Sequence, residues 1–149
     1  MMNSIDNGKQ NPTKCQSINK LKDKLKKLTK RSWSVSWEYR CTKLRQLIIG
    51  WVNYYRIGQF KMICQKIDRW IRFRIRMYLW KKWKTNKNRE RQLRKLGACQ
   101  WQAKTWSNTR KSYARCASTF LLSVITNGLL NRKGLPSLTD QYQLKHISV

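Results

Sequence analysis

Gln65, Arg69, Arg72 and Arg76 fall at i, i+4, i+7 and i+11, which places them in one row if the run around them is helical. A guanidinium is a planar fork of donors that meets a phosphate with two hydrogen bonds and can also lie flat on a ring. A stiff row of them suits the holding of an anionic backbone. The same run continues as WKKWK, with Lys81, Lys82 and Lys84 around Trp80 and Trp83, followed by Arg89, Arg91 and Arg94. Between Lys61 and Lys95 stand fourteen Lys or Arg against Asp68 and Glu90. Trp80 and Trp83 stack on unpaired bases if exposed and belong to the core if buried. A charge run is commonly just a solvated face, but here almost no acid balances it.

The whole chain has that bias. In 149 residues there are 34 Lys+Arg and 6 Asp+Glu, a net charge of +28. Confining so much like charge opposes folding unless a polyanion compensates it. Eight tryptophans among 40% apolar residues separate the chain from a disordered basic tail. Catalysis has little to work with. Asp6, Asp23, Glu38, Asp68, Glu90 and Asp140 are scattered, whereas two-metal phosphoryl chemistry needs clustered carboxylates. The five cysteines (Cys15, Cys41, Cys64, Cys99, Cys116) form no C-x-x-C, and the lone histidine is His146. Neither a zinc site nor a disulfide frame is expected, and no cofactor. Cys41 and Cys64 read as small core residues. With no signal-peptide core and no apolar run long enough to span a bilayer, a reducing cytoplasm is the expected compartment.

The elements that must position these cations are helices. Residues 1–16 read as a disordered lead, 17–142 as one helical domain and 143–149 as a tail. Ile18, Leu21, Leu25 and Leu28 give a first helix to about Lys30. RSWSVS interrupts, with Ser34 or Ser36 as N-cap of the next. Trp37, Cys41, Leu44, Ile48, Trp51 and Tyr55 form one seam of a second helix ending at Gly58, and interior Gly50 suggests close approach by a backbone or a ring. Ile71–Met77 alone alternates like a strand, but over Gln59–Lys84 the residues Phe60, Ile63, Ile67, Trp70/Ile71 and Tyr78 share a helical face. Asp68 stands four residues before Arg72 and can pair with it. Arg74 points into the apolar face and needs either a carboxylate such as Glu38 or a less buried surface there. Thr85 or Asn86 caps a short basic helix ended by Gly97, a mixed stretch covers Ala98–Cys116, Ser118–Asn131 reads as a last buried helix, and Leu135–Tyr142 as an extended flap.

The segments LKDKLKKLTKRSWSVSWEYRCTKLRQLIIGWVNYY, IDRWIRFRIRMYLWKKWK and RQLRKLG, in that order, resemble the maturase-specific domain of group II intron reverse transcriptase/maturases. SNTRKSYARCAS and GLPSLTDQY resemble the part that follows in bacterial members, so the likeness runs from about Lys20 to Tyr142. It implies an all-α bundle, the thumb, that binds group II intron RNA and stabilises its splicing-active fold. It also implies that Arg69, Arg72, Arg76, Lys81, Lys82 and Lys84 face RNA, while Gly50, Trp51 and Tyr55 are structural. Arg89, Arg91, Arg94, Arg110 and Lys111 complete the expected RNA-binding set. The family's Tyr-x-Asp-Asp polymerase motif is absent from the sequence, which makes the chain resemble a C-terminal fragment without fingers and palm, and not an enzyme by itself. Two other readings accompany this one. In the first, a thumb docks on a separately encoded fingers–palm chain through apolar surface at Leu21, Leu25 and Leu28 or around Trp33 and Trp37. In the second, the chain is a mobile-element remnant with no present role.

Overall fold

The computed structural model describes residues 12–55 and 59–147, and every regular element among them is a helix. They are α1 (Pro12–Leu28), α2 (Trp37–Tyr55), α3 (Lys61–Lys82), α4 (Asn86–Lys95), α5 (Gln100–Ser107), α6 (Tyr113–Ser118), α7 (Phe120–Val124), α8 (Asn127–Arg132) and α9 (Leu138–Ile147). The all-α expectation holds. None of these helices is long and apolar enough to cross a membrane. Residues 1–11 of the expected lead, and the Gly58 stop, lie outside the described residues.

α3 is the organising element. It packs on α6 and α9, α2 packs on α9 and α1, and α4 pairs with α5. The two long seams read from the sequence are the core: Cys41, Leu44, Ile48 and Trp51 of α2 are buried, as are Ile67, Ile71 and Tyr78 of α3 with Phe60 just before it. Leu21 and Leu25 of α1 close the same core from one side, and Leu121, Ile125 and Leu138 from the other. Removing each such side chain from water stabilises the fold by about 1.5–3 kcal/mol. Burial keeps the thiols of Cys41 and Cys64 protonated, pushing them up to about 11 and about 12.

Local chemistry sets the helix ends. Ser36 accepts from the Tyr39 amide (3.2 Å) and Thr85 from the Asn88 amide (3.2 Å), so these two are the N-caps of α2 and α4. Gly97, at φ +104, ends α4 in the left-handed region that favours glycine.

Elsewhere the boundaries differ from the sequence reading. α1 begins at Pro12, a residue whose fixed φ suits a first helical position, so the helix takes in residues expected to be lead. The mixed stretch contains α5. The single helix expected over Ser118–Asn131 is two short pieces, α7 and α8, and Ser118 itself ends α6. Thr119 adopts φ −117, ψ −107, and Thr126 caps α8 by accepting from the Leu129 amide (3.2 Å). Hydroxyl side chains here bond to the backbone in place of the helical ladder. The extended C-terminal segment stops at Ser137, and Leu138–Ile147 is helical.

Gly50 is not a close-approach site, because a Cβ built there meets nothing within 4 Å. It is an exposed glycine in the interior of α2. Gly50→Ala is therefore expected to stabilise the protein by about 0.5–1 kcal/mol, raising Tm by about 1–4 °C. Thermal denaturation checks this, and a lower Tm would reveal a contact at that position.

Candidate nucleic-acid interface

The α3 arginines do not form a continuous outward row. Arg69 is exposed and Arg72 half-buried, but Arg76 is only 3% accessible. Its Nε donates to the Ile125 carbonyl (2.8 Å) and its Nη2 to Asn127 Oδ1 (3.0 Å). The 3.6-residue period rightly places Arg76 opposite the first apolar face, but the α6–α8 segment covers that second face as well. Arg76 is thus a structural residue, contrary to the RNA-facing expectation. Asp68 likewise turns inward and holds the start of α9 in place of pairing with Arg72.

Arg74 finds no carboxylate among the described residues. It donates to Thr29 Oγ1 (2.7 Å) and the Lys26 carbonyl (3.2 Å) at the end of α1, with Trp70 beside it. Arg40, absent from the expected set, is fully buried and donates to the carbonyls of Leu28 (2.6 Å), Lys30 (3.3 Å) and Trp33 (2.7 Å). Its guanidinium lies 3.9 Å from the Tyr78 ring centroid and 5.0 Å from that of Trp33. Burial lowers the pKa of Arg40, Arg74 and Arg76, although a guanidinium stays charged throughout the accessible pH range.

The cations left for a ligand gather where α3 ends. Lys81, Lys82 and Lys84 are exposed there, and Arg89 at the start of α4 is half-buried. Together with Arg31 they line a groove of about 620 Å³ between the α1–α2 turn and the α3–α4 corner. Trp33, Tyr78 and Tyr113 supply aromatic surface, and no Asp or Glu is among the described lining residues. Arg89 donates from Nε to the Trp80 carbonyl (3.1 Å) and packs over the Trp80 ring, so its position is fixed. Trp80 itself is core and Trp83 half-buried.

Lys84 has φ +52, the one positive φ at a non-glycine among the described residues. A glycine would adopt that backbone with less strain. A lysine there places an amine at the corner at some conformational cost.

On the far side of that corner a second basic groove, about 850 Å³, is lined by Lys87, Arg91, Arg94 and Lys95 with Glu90. Arg110 and Lys111 are exposed in the turn leading to Tyr113. Of the expected residues, Lys81, Lys82, Lys84 and Arg89 meet in the first groove, and Arg91 and Arg94 in the second. Arg69 and Arg72 lie about two to three turns away along α3. Arg31, Trp33 and Tyr113 are missed by the sequence reading. The available signal for Arg31 and Trp33 was a tryptophan and an arginine set among serines in RSWSVS, where a mere helix break requires neither; Tyr113 carried none.

Of the apolar residues expected to await a separate palm, Leu28, Trp33 and Trp37 are half-buried. Leu21 and Leu25 are buried, and Trp37 stacks on Tyr78 and donates to the Lys133 carbonyl (2.8 Å).

A family model described as group II intron, maturase-specific domain matches residues 18–97, more than half of the chain. The matched span holds α2–α4, both basic grooves' principal cations and the C-terminal part of α1. No curated protein matches the sequence.

Proposed function

This chain belongs to the group II intron maturase-specific domain family, and from that premise we propose that it binds group II intron RNA in the cytoplasm and stabilises its splicing-active fold. The observation that carries the reading is the α3–α4 corner: Lys81, Lys82 and Lys84 stand exposed along one basic groove, and Lys87, Arg91, Arg94 and Lys95 line a second that begins at Thr85. Cations on a rigid helical frame neutralise phosphates at points where RNA segments cross, and so lower the repulsion that opposes compact RNA. The role is binding and positioning, without chemistry by this chain.

Binding to structured intron RNA, random-sequence RNA and duplex DNA, each across a salt series, tests the proposal. Each phosphate contact contributes about −0.7 to −0.9 to the slope of log K against log salt. Intron RNA is expected to bind tightest at matched salt, and equal affinity for all three polyanions would overturn the reading. Lys84→Gly separates binding from folding. Relief of the positive φ should leave stability unchanged or higher by up to about 1 kcal/mol, while the salt slope becomes shallower by about one contact. An unchanged slope would remove Lys84 from the interface.

A further inference from the structure

The two basic grooves differ in their walls. The one lined by Lys87, Arg91, Arg94 and Lys95 has no aromatic lining residue among those described, whereas the one beside it has Trp33, Tyr78 and Tyr113. Trp33 and Tyr113 are half-buried, so each ring is part wall and part support. Guanidiniums lie against both rings: Arg31 and Arg89, which share the groove, are 4.6 Å and 5.9 Å from the Tyr113 ring centroid, and buried Arg40 is 5.0 Å from that of Trp33. Trp33 is further braced edge-on by Tyr39, at 5.9 Å. The loop carrying it is fixed through its own backbone, because Arg40 holds the Trp33 carbonyl. Trp33 is thus pre-positioned at the groove wall.

Resting on the RNA-binding reading above, we propose that this groove takes an unpaired nucleotide, its base against Trp33 or Tyr113 and its phosphates on Lys81, Lys82 and Lys84. The volume, about 620 Å³, suits an occupant of small-molecule size. Side chains stack on bases that are unpaired and splayed out, while a duplex keeps its bases stacked on one another and offers mainly phosphates and hydroxyls. A groove meant for duplex alone has no use for aromatic walls. The aromatic groove therefore reads a loop, bulge or junction, and the ring-free, mainly basic groove beside it serves the adjoining backbone. Such pairing of a stacking platform with a phosphate track is how single strands are held without sequence readout.

The test uses the full chain with a labelled single-stranded oligouridylate and a blunt RNA duplex of equal length at matched salt. Trp33→Leu and Tyr113→Leu are each expected to weaken single-strand binding about tenfold, the effect of losing one base stack. Duplex affinity should change less than about twofold, and the salt slope should be unaltered for both ligands, because no cation is removed. Trp33→Phe should restore most of the single-strand affinity, since a π face returns. Trp101→Leu, at an exposed tryptophan on α5 outside the groove, should change neither. Equal losses for single strand and duplex, or no loss for either, would overturn the unpaired-nucleotide assignment while leaving RNA binding intact. Failure of Lys82→Ala and Lys84→Gly to weaken any RNA would instead overturn the underlying RNA-binding reading.

Discussion

An Arg40→Met variant is expected to lose about 3–4 kcal/mol of stability, with Tm falling by about 10 °C. Methionine fills much of the same volume, so the effect isolates the guanidinium. That group donates to the Leu28, Lys30 and Trp33 carbonyls and lies against Tyr78. With it gone, carbonyls that face the interior lose their donor, at about 1–3 kcal/mol for each that water cannot reach. The loop from Thr29 to Ser36 also loses the three side-chain hydrogen bonds by which Arg40 ties Leu28, Lys30 and Trp33 to α2. Arg40→Lys should recover less than half of the loss, because an ammonium is a point charge that cannot span three acceptors or lie flat on Tyr78. Calorimetry or chemical denaturation checks both variants, and a Met variant within 1 kcal/mol of the parent would remove Arg40 from its structural role. One consequence reaches the interface. Trp33 and Arg31 sit on the loop that Arg40 holds, so the variant's single-strand affinity should fall even at temperatures where it remains folded.

Arg40 belongs to a wider solution that this chain adopts because acids are so scarce. Three guanidiniums point inward, and none of the contacts described for them is to a carboxylate. Arg40 and Arg74 bond to carbonyls at the C-terminal end of α1, and Arg76 bonds to the carbonyl of Ile125, where α7 ends. The last carbonyls of a helix lack intrahelical donors and carry the negative end of the helix dipole. A cation placed there satisfies both shortages without consuming an acidic residue. The arrangement has a functional corollary. Internal charge is matched locally by backbone dipoles, so the outer lysines at Lys81, Lys82 and Lys84 have little acid nearby to divert them from a phosphate.

How much of this could be read from the sequence follows from what periodicity encodes. A run of apolar residues at steps of three and four identifies the first face a helix buries, and the seams of α2 and α3 were legible for that reason. It carries no information about whether the opposite face meets solvent or another layer. Arg76 and Asp68 lie on such a second face, under the α6–α8 segment and the start of α9; the apolar residues of 118–131 mark that stretch as buried but do not say which helix face it covers. Arg40 is a different case. It stands four residues before Leu44 on the buried seam, yet a charged residue on a seam suggests an imperfect edge until its acceptors are known. The groove escaped notice because its walls come from three separated stretches, Arg31–Val35, Tyr78–Arg89 and Tyr113. The cations of the α3–α4 corner were legible because they are contiguous in sequence.

Asp68→Ala is expected to release α9 from the fold and to cost about 3–4 kcal/mol. The buried Asp68 carboxylate accepts from the Leu138 amide (2.8 Å), the Thr139 amide (2.9 Å), Ser137 Oγ (2.9 Å) and Thr139 Oγ1 (2.5 Å). It therefore caps α9 from the middle of α3, placing a negative charge at the positive end of a helix dipole. Ser137 couples the two, since its hydroxyl donates to Asp68 and accepts from the Asp140 amide (3.3 Å). A helix of 10 residues is too short to persist in water once its docking is lost. Its release would uncover Leu138 and Tyr142 and remove the Tyr142 hydroxyl from the Phe60 amide (3.1 Å) at the start of α3. Asp68→Asn should cost less, about 2 kcal/mol, because one oxygen still accepts while the new amide group faces donors. Hydrogen exchange distinguishes release of α9 from general weakening: the α9 amides should lose protection first and most, while those of the α4–α5 pair exchange as in the parent. Uniform loss across all helices would mean that Asp68 stabilises the core as a whole and not the attachment of α9. Retained α9 protection would mean that apolar packing alone holds the helix, and that the four hydrogen bonds only fix its register.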